Sequence, residues 1–180
     1  MSSSAQSLDL DLDRALHFAS KRLQESGHNP KPVLLHSAKT ALCLYNLDYS
    51  RDIVVAAVLH DLIEDTDTVA ADIENAFSPA IAGIVEACTF SPDIEDDLDQ
   101  ARDMLERCAA YGNDALIVKC ADLLDNIGYV HLAPEERQLQ LRAKYALFLT
   151  IAQSRIGNEP IYEMLAARVE EFSFRDTVRS

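Results

Sequence analysis

Residues 60–66, His-Asp-Leu-Ile-Glu-Asp-Thr, bring together four side chains that can bind a metal ion or transfer a proton. These side chains belong to His60, Asp61, Glu64 and Asp65. Residues 53–59 before them are all apolar, which is typical of a helix that is buried on nearly all sides. Because carboxylates are costly to bury unless they are paired, hydrogen-bonded or bound to a metal, the segment indicates a metal or catalytic site. A solvated acidic helix end is the alternative interpretation.

Helical spacing would arrange these four side chains in two neighbouring ridges. If residues 54–65 form one helix, His60 and Glu64 share one face of it, because residues four apart stack along a helix. Asp61 and Asp65 share the adjacent face for the same reason. We therefore expect two polar ridges side by side at the end of a buried helix.

Two more apolar helices are predicted to carry side chains of the same kinds. His36 is the one imidazole in a predicted helix over residues 33–45. Asp122 and Asn126 lie four apart near the end of another, over residues 115–127. Helices joined by short connections usually pack side by side, so the helices before and after residue 50 can bring His36 close to residue 60. For His36, a hydrogen-bonded core histidine is the alternative interpretation.

The elements that must position these side chains are all predicted to be helices. Apolar residues recur at spacings of three and four over residues 8–23, and Ser78-Pro79 and Ala133-Pro134 mark the starts of two later helices. No segment shows the alternating pattern of a strand with hairpin turns. The sequence therefore predicts an all-α domain of eight or nine helices over residues 8–175, after a disordered tail over residues 1–7.

Charge and composition limit the classes of partner. The 180 residues carry a formal net charge of −14, which argues against a nucleic-acid duplex, since phosphate contacts need clustered Lys and Arg. A small anionic ligand stays possible, because a bound divalent cation supplies local positive charge. There is neither a long apolar run nor an N-terminal signal pattern, and the four cysteines form no Cys-x-x-Cys pair, so we expect a cytoplasmic protein without membrane contact. The sequence does not predict the oligomeric state.

The order of these residues resembles a known family. His36, then His60-Asp61, then Asp122 is similar to the ligand order of the HD superfamily of metal-dependent phosphohydrolases. Residues 60–66 resemble the His-Asp-x-x-Glu-Asp-Thr signature of the RelA/SpoT-type hydrolase domain and its small stand-alone homologues, which act on guanosine tetraphosphate and pentaphosphate. Residues 119–126, Lys-Cys-Ala-Asp-Leu-Leu-Asp-Asn, resemble that family's Lys-x-Ala-Asp-x-x-x-Asn motif.

The resemblance implies a role for each matching residue. The metal, Mn²⁺ in that family, would be bound by His36, His60, Asp61 and Asp122. The acidic pair that orients and deprotonates the attacking water would be Glu64 and Asp65. Contacts to a small nucleotide substrate are expected from Asn126, Lys31, Arg142 and Tyr145, and Lys119 is a further candidate. For Arg142 and Tyr145, a pair on a helix surface is the alternative interpretation, and Lys119 could equally extend its charged end to solvent.

The resemblance implies a metal-dependent phosphohydrolase that acts on a nucleotide. The activity it favours most is 3′-pyrophosphohydrolysis of (p)ppGpp. Residues 27–32 and 127–129 differ from the family pattern, so two alternatives stay open. One is an HD phosphatase of another nucleotide, such as a 5′-nucleotidase or an NADPH phosphatase. The other is a metal-binding regulatory HD module without turnover.

Overall fold

The computed structural model describes residues 3–27 and 32–177 of the chain. These residues form α-helices and one 3₁₀ helix, and they contain no strand. The α-helices are α1 (Ser3–Ser26), α2 (Val33–Asn46), α3 (Arg51–Leu59), α4 (Leu62–Asp65), α5 (Ala70–Ala76), α6 (Pro79–Cys88), α7 (Asp97–Tyr111), α8 (Asn113–Asn126), α9 (Glu135–Ile156) and α10 (Pro160–Thr177). The 3₁₀ helix Ile127–Leu132 lies between α8 and α9. The predicted all-α fold is thus confirmed.

The short helix α4 continues α3 after an interruption at His60 and Asp61. The N–H of Asp65 donates to the carbonyl of Asp61 at 2.9 Å, as in a regular helix. The imidazole Nδ1–H of His60 donates to the carbonyl of Ala57 at 2.8 Å, and this carbonyl would receive the N–H of residue 61 in an unbroken helix. The expected helix over residues 54–65 therefore has a turn where two of its predicted ligands lie.

Helices α3 and α8 form the centre of the core. All residues from Ile53 to Leu59 in α3 and from Ala115 to Asp122 in α8 are buried. Helices α2, α3 and α8 each pack against the other two, and α1, α6, α7, α9 and α10 surround them. The helices that carry His36 and Asp122 and the helix that leads to His60 and Asp61 are therefore mutual neighbours.

Capping residues fix where several helices begin. The hydroxyl of Ser78 accepts from the N–H of Ile81 at 3.2 Å, with Pro79 at the first position of α6. Asp96 accepts in the same way from the first turn of α7. Gly112 separates α7 from α8 at a φ of 150°, a backbone conformation that favours glycine. Of these positions, the start at Pro79 is one that the sequence analysis predicts.

The two terminal helices lie near the predicted bounds of the domain, which stay a prediction. Helix α1 begins at Ser3, inside the segment 1–7 for which we expect a tail, and α10 continues to Thr177. Good helix formers such as Gln6 and Leu8 allow the first helix to grow past its amphipathic part. Among the described residues, no helix is long and apolar enough to cross a membrane.

The burial of α8 yields a prediction about stability. Leu116 is fully buried in α8, whereas Leu139 in α9 is 62% exposed. We expect Leu116→Ala to lower the free energy of unfolding by about 2–5 kcal/mol, because it leaves a cavity in the core. Leu139→Ala serves as the matched control and should change it by less than about 0.5 kcal/mol. Urea denaturation measures both, and equal losses would contradict this description of the core.

Candidate metal centre

Three side chains, from α2, from the turn after α3 and from α8, meet in the core. Nε2 of His36 in α2 lies 3.3 Å from Nε2 of His60 and 3.0 Å from Oδ1 of Asp122 in α8. Nε2 of His60 lies 3.6 Å from the same oxygen of Asp122. All three residues are buried, and each offers a ligand atom within 4.8 Å of the other two. This is a compact group of donors in an apolar core.

Asp61 adds a second carboxylate to this group. Its Oδ1 lies 3.2 Å from Nε2 of His60, and its Oδ2 lies 3.8 Å from Nε2 of His36. His60 and Asp61 both lie in the turn between α3 and α4, and this turn brings their side chains into contact. The structure therefore brings all four predicted ligands together: His36, His60, Asp61 and Asp122.

Hydrogen bonds fix the orientation of both imidazoles. Nδ1 of His36 lies 2.8 Å from Oδ2 of Asp125, and Nδ1 of His60 lies 2.8 Å from the carbonyl oxygen of Ala57. A carbonyl or an ionised carboxylate can only accept, so the proton of each neutral ring is held on Nδ1. The lone pair of each Nε2 is then free to bind a cation between the two rings.

Asp122 is held as a carboxylate by its neighbours. Nζ of Lys119 lies 2.7 Å from its Oδ2, and the amide of Asn126 donates to its Oδ1 at 2.5 Å. Burial by itself raises the pKa of Asp122, but Lys119 and the two imidazoles lower it well below its ordinary value. Lys119 is itself buried and stays charged, because Asp122 and Glu64 raise its pKa. The pair thus keeps an anionic ligand in an apolar core.

The neighbouring carboxylates favour the protonated forms of the two imidazoles. Burial opposes their charged forms, but Asp61 and Asp122 raise the pKa of His60 to about 9. Burial likewise opposes the charge on His36, and hydrogen bonds to Asp122 and Asp125 raise its pKa. Two imidazole nitrogens with carboxylate oxygens are a donor set that fits a divalent first-row transition ion. Such an ion must displace these protons to bind.

The acidic pair lies one turn beyond the ligands. Oε1 of Glu64 accepts from the N–H of Phe90 at 2.7 Å. The residue has a solvent-exposed edge, yet neighbouring atoms crowd its carboxyl group, and this desolvation raises the pKa of Glu64 against the opposing effect of Lys119. Asp65 is half-buried next to it. A carboxylate with a raised pKa is suited to accept a proton near neutral pH.

A cavity of about 290 Å³ adjoins Asp122. Most of its wall is apolar and comes from α7, α8 and α9. Its polar lining also includes three cationic side chains, and the polar residues concerned are Lys119, Asp122, Asn126, Tyr129, Arg137, Lys144 and Tyr145. The cavity thus has a mostly apolar wall and three cationic side chains, and it lies next to the buried ligand atoms of Asp122 and its neighbours.

The predicted substrate-binding residues have different positions. Asn126 and Tyr145 line the cavity, and the hydroxyl of Tyr145 donates to the carbonyl of Leu123 at 3.2 Å. Arg142 does not line it, because its guanidinium lies over the ring of Phe172 in α10, 4.5 Å from the ring centroid. Lys31 lies outside the described residues.

Two cationic side chains that line the cavity were not predicted from the sequence. Lys144 and Arg137 both bind the carboxylate of Asp97 at the start of α7, Lys144 at 2.6 Å. Residues 137, 141 and 144 are spaced by four and three, so they share one face of α9 next to Tyr145. This helical spacing is the signal that could have placed Lys144 and Arg137 beside Tyr145.

The fold and the donor group define an all-α domain with a buried His/Asp group that can hold a metal ion. The chain belongs to the HD domain family, whose model matches residues 15–155. This match includes all four predicted ligands and the acidic pair.

Curated relatives have similar sequences over most of this chain. The guanosine-3′,5′-bis(diphosphate) 3′-pyrophosphohydrolase of Aquifex aeolicus is 29% identical over 134 residues, which cover 73% of this chain and 19% of that protein. The 3′-pyrophosphohydrolase MESH1 of Drosophila melanogaster is 31% identical over 115 residues, 62% of this chain and 64% of that protein. This chain thus spans about a fifth of the length of the bacterial relative.

Solved structures share the fold. A metazoan orthologue of SpoT, described as hydrolysing ppGpp, has a TM-score of 0.76 and 22% identity, covering 89% of this chain and 94% of that one. A protein of Listeria monocytogenes EGD-e has a TM-score of 0.65 and 21% identity, covering 75% and 93%. At these identities the likeness concerns the fold.

The protonated imidazoles predict a pH dependence of metal binding. Below about pH 9 His60 carries a proton in the metal-free protein, so an ion competes with that proton. We expect the affinity for Mn²⁺ to rise between about pH 7 and 9, by about tenfold per pH unit for each proton displaced. Titration calorimetry in buffers of different ionisation enthalpy measures the affinity and the released protons. The exposed His17 offers the control: His17→Gln should keep the wild-type profile, and an affinity independent of pH would contradict the assignment of His60.

Proposed function

We propose that this protein is a divalent-metal-dependent phosphohydrolase that removes pyrophosphate from the 3′ position of (p)ppGpp, with Mn²⁺ as its ion. The observation that carries this proposal is the convergence of His36, His60, Asp61 and Asp122 in a chain of the HD domain family. Two relatives of that family are named as 3′-pyrophosphohydrolases of guanosine 3′,5′-bis(diphosphate).

The side chains around the centre have different roles in the proposed reaction. A bound divalent ion supplies a Lewis acid and lowers the pKa of coordinated water. Glu64, with its raised pKa, accepts a proton from the attacking water, and Asp65 holds that water in line with the phosphate. The hydrogen bond from the Phe90 N–H holds one oxygen of Glu64 in place and leaves its other oxygen for the proton.

The cations near the centre support an anionic substrate. Lys119, Arg137 and Lys144 line the cavity beside Asp122, in a chain whose formal net charge is −14. Phosphate oxygens attract such cations, and charge-assisted hydrogen bonds are stronger in a partly enclosed site than in water. We propose that Lys144 and Arg137 exchange their contacts with Asp97 for contacts with the nucleotide.

The apolar part of the cavity supports a ligand with a flat, weakly polar portion. Small-molecule sites are mostly apolar, with a few polar groups that fix orientation. We propose that the base and ribose occupy this space, with Asn126 and Tyr145 in contact with them. Contacts from Lys31 and Arg142 remain predictions.

The thiols agree with a cytoplasmic location, which we also propose. The four cysteines are free, at Cys43, Cys88, Cys108 and Cys120. Reduced thiols are typical of proteins in the reducing cytoplasm, where nucleotides such as (p)ppGpp are present.

Product analysis tests the proposed reaction. Purified protein with Mn²⁺ and ppGpp should release pyrophosphate and GDP, since water adds to the 3′-diphosphate and the nucleoside 3′-hydroxyl leaves. Glu64→Gln and Asp65→Asn should each lower kcat by about 10²- to 10⁴-fold, because they remove the base or the residue that orients the water. Both should still bind Mn²⁺. The control is Glu74→Gln, the same exchange at an exposed position of α5.

Other products would change the account in defined ways. Release of orthophosphate from GTP, NADPH or a nucleoside monophosphate would support the hydrolytic centre but show that its substrate is another nucleotide. No product from any of these nucleotides, with Mn²⁺ bound, would contradict turnover and favour a regulatory HD module.

A further inference from the structure

We propose that Asp125 is a positioning residue that fixes the tautomer of His36 and strengthens it as a metal ligand. This inference rests on the metal centre of the proposed function, but it does not depend on the substrate. Asp125 is not among the residues that the sequence pattern marks as ligands or catalysts. Its contacts with His36 and Lys39 carry the proposal.

Both oxygens of the Asp125 carboxylate have defined partners. Oδ2 lies 2.8 Å from Nδ1 of His36, and Oδ1 lies 3.5 Å from Nζ of Lys39. The Asp125 side chain is only 16% exposed, and His36 is 8% exposed, so solvent weakens their hydrogen bond little. Asp125 follows Asp122 by three residues on α8, which puts the two carboxylates on neighbouring positions of one helix face. Nε2 of His36 therefore faces Asp122 while its Nδ1 faces Asp125.

The two imidazoles of the centre differ in the group that holds Nδ1. His60 donates to the neutral carbonyl of Ala57, whereas His36 faces the charged carboxylate of Asp125. A carboxylate draws the Nδ1 proton more strongly than a carbonyl does, and this raises the electron density at Nε2. Asp125 thus acts on His36 in a way that has no counterpart at His60.

Lys39 keeps Asp125 in this orientation. Its Nζ donates to the hydroxyl of Tyr129 at 2.7 Å and lies near the outer oxygen of Asp125. Tyr129 belongs to the 3₁₀ helix that follows α8, so the contact ties α2 to the end of the segment that carries Asp125. The cation occupies the solvent side of the carboxylate and leaves the inner oxygen for His36.

A purely structural ion pair between α2 and α8 is the competing explanation. Such a pair would contribute to the free energy of unfolding and leave the affinity for metal unchanged. A positioning role would act on the affinity in the folded protein, because it changes the donor strength of His36. Metal binding and unfolding, measured on the same variants, separate the two explanations.

The deciding experiment measures Mn²⁺ affinity from the electron paramagnetic resonance signal of the free ion. Asp125→Asn keeps the shape of the side chain and removes its charge, so we expect about 10- to 100-fold weaker binding. Asp125→Glu restores the carboxylate and should recover part of that loss. Asp114→Asn makes the same exchange at an exposed position of α8 and should bind as the wild type does. Thermal unfolding of each metal-free variant checks that it is folded.

A second measurement does not depend on a variant that folds. In the wild-type protein loaded with Zn²⁺, long-range ¹H–¹⁵N spectra should show the proton of His36 on Nδ1 and the metal on Nε2. The opposite tautomer would overturn the proposal, as would Asp125→Asn binding Mn²⁺ as tightly as Asp114→Asn, or a wild type that binds no Mn²⁺. Weaker binding in Asp125→Asn together with a wild type that leaves ppGpp intact would support the role of Asp125 and refute the proposed substrate.

Discussion

The compensation of buried charge at the meeting of α2, α3 and α8 is the constraint on which the rest of the structure depends. Asp61 and Asp122 lie in a core that is otherwise apolar, and isolated carboxylates there would each cost several kcal/mol. Lys119 and the imidazoles of His36 and His60 offset that charge. The same arrangement groups Nε2 of each imidazole with several carboxylate oxygens, a donor set that suits a divalent ion once the imidazoles have lost their protons.

The donors meet because the buried segments of α3 and α8 end close to one another in the core. In α3 an uninterrupted apolar run leads to the turn at His60 and Asp61, and in α8 a similar run leads to Asp122. Side chains on such packed helices are held more firmly than side chains on loops. The hydrogen bonds to Ala57 and Asp125 then set the orientation of the rings. Packing sets the positions of the donors, and the outer hydrogen bonds set their direction.

The sequence alone allowed the four predicted ligands to be named. Other features depend on tertiary packing and could not be predicted from it. The motifs over residues 60–66 and 119–126 indicate ligands through their resemblance to the HD family, and metal-binding residue types on apolar helices agree with it. The interruption of α3 coincides with the hydrogen bond of His60 to Ala57, and the apolar pattern predicts neither. Likewise, the position of Arg142 over Phe172 depends on how α9 packs on α10, and the sequence does not encode that angle in any local pattern.

The most direct test of the metal centre is an anomalous difference map from crystals of the wild-type protein grown with Mn²⁺, recorded at the manganese absorption edge. The account predicts one strong peak enclosed by His36, His60, Asp61 and Asp122, with Nδ1 of His36 still bonded to Asp125. A map without a peak there, or with manganese only at surface carboxylates, would contradict it. In that case the buried carboxylates and imidazoles would only compensate one another.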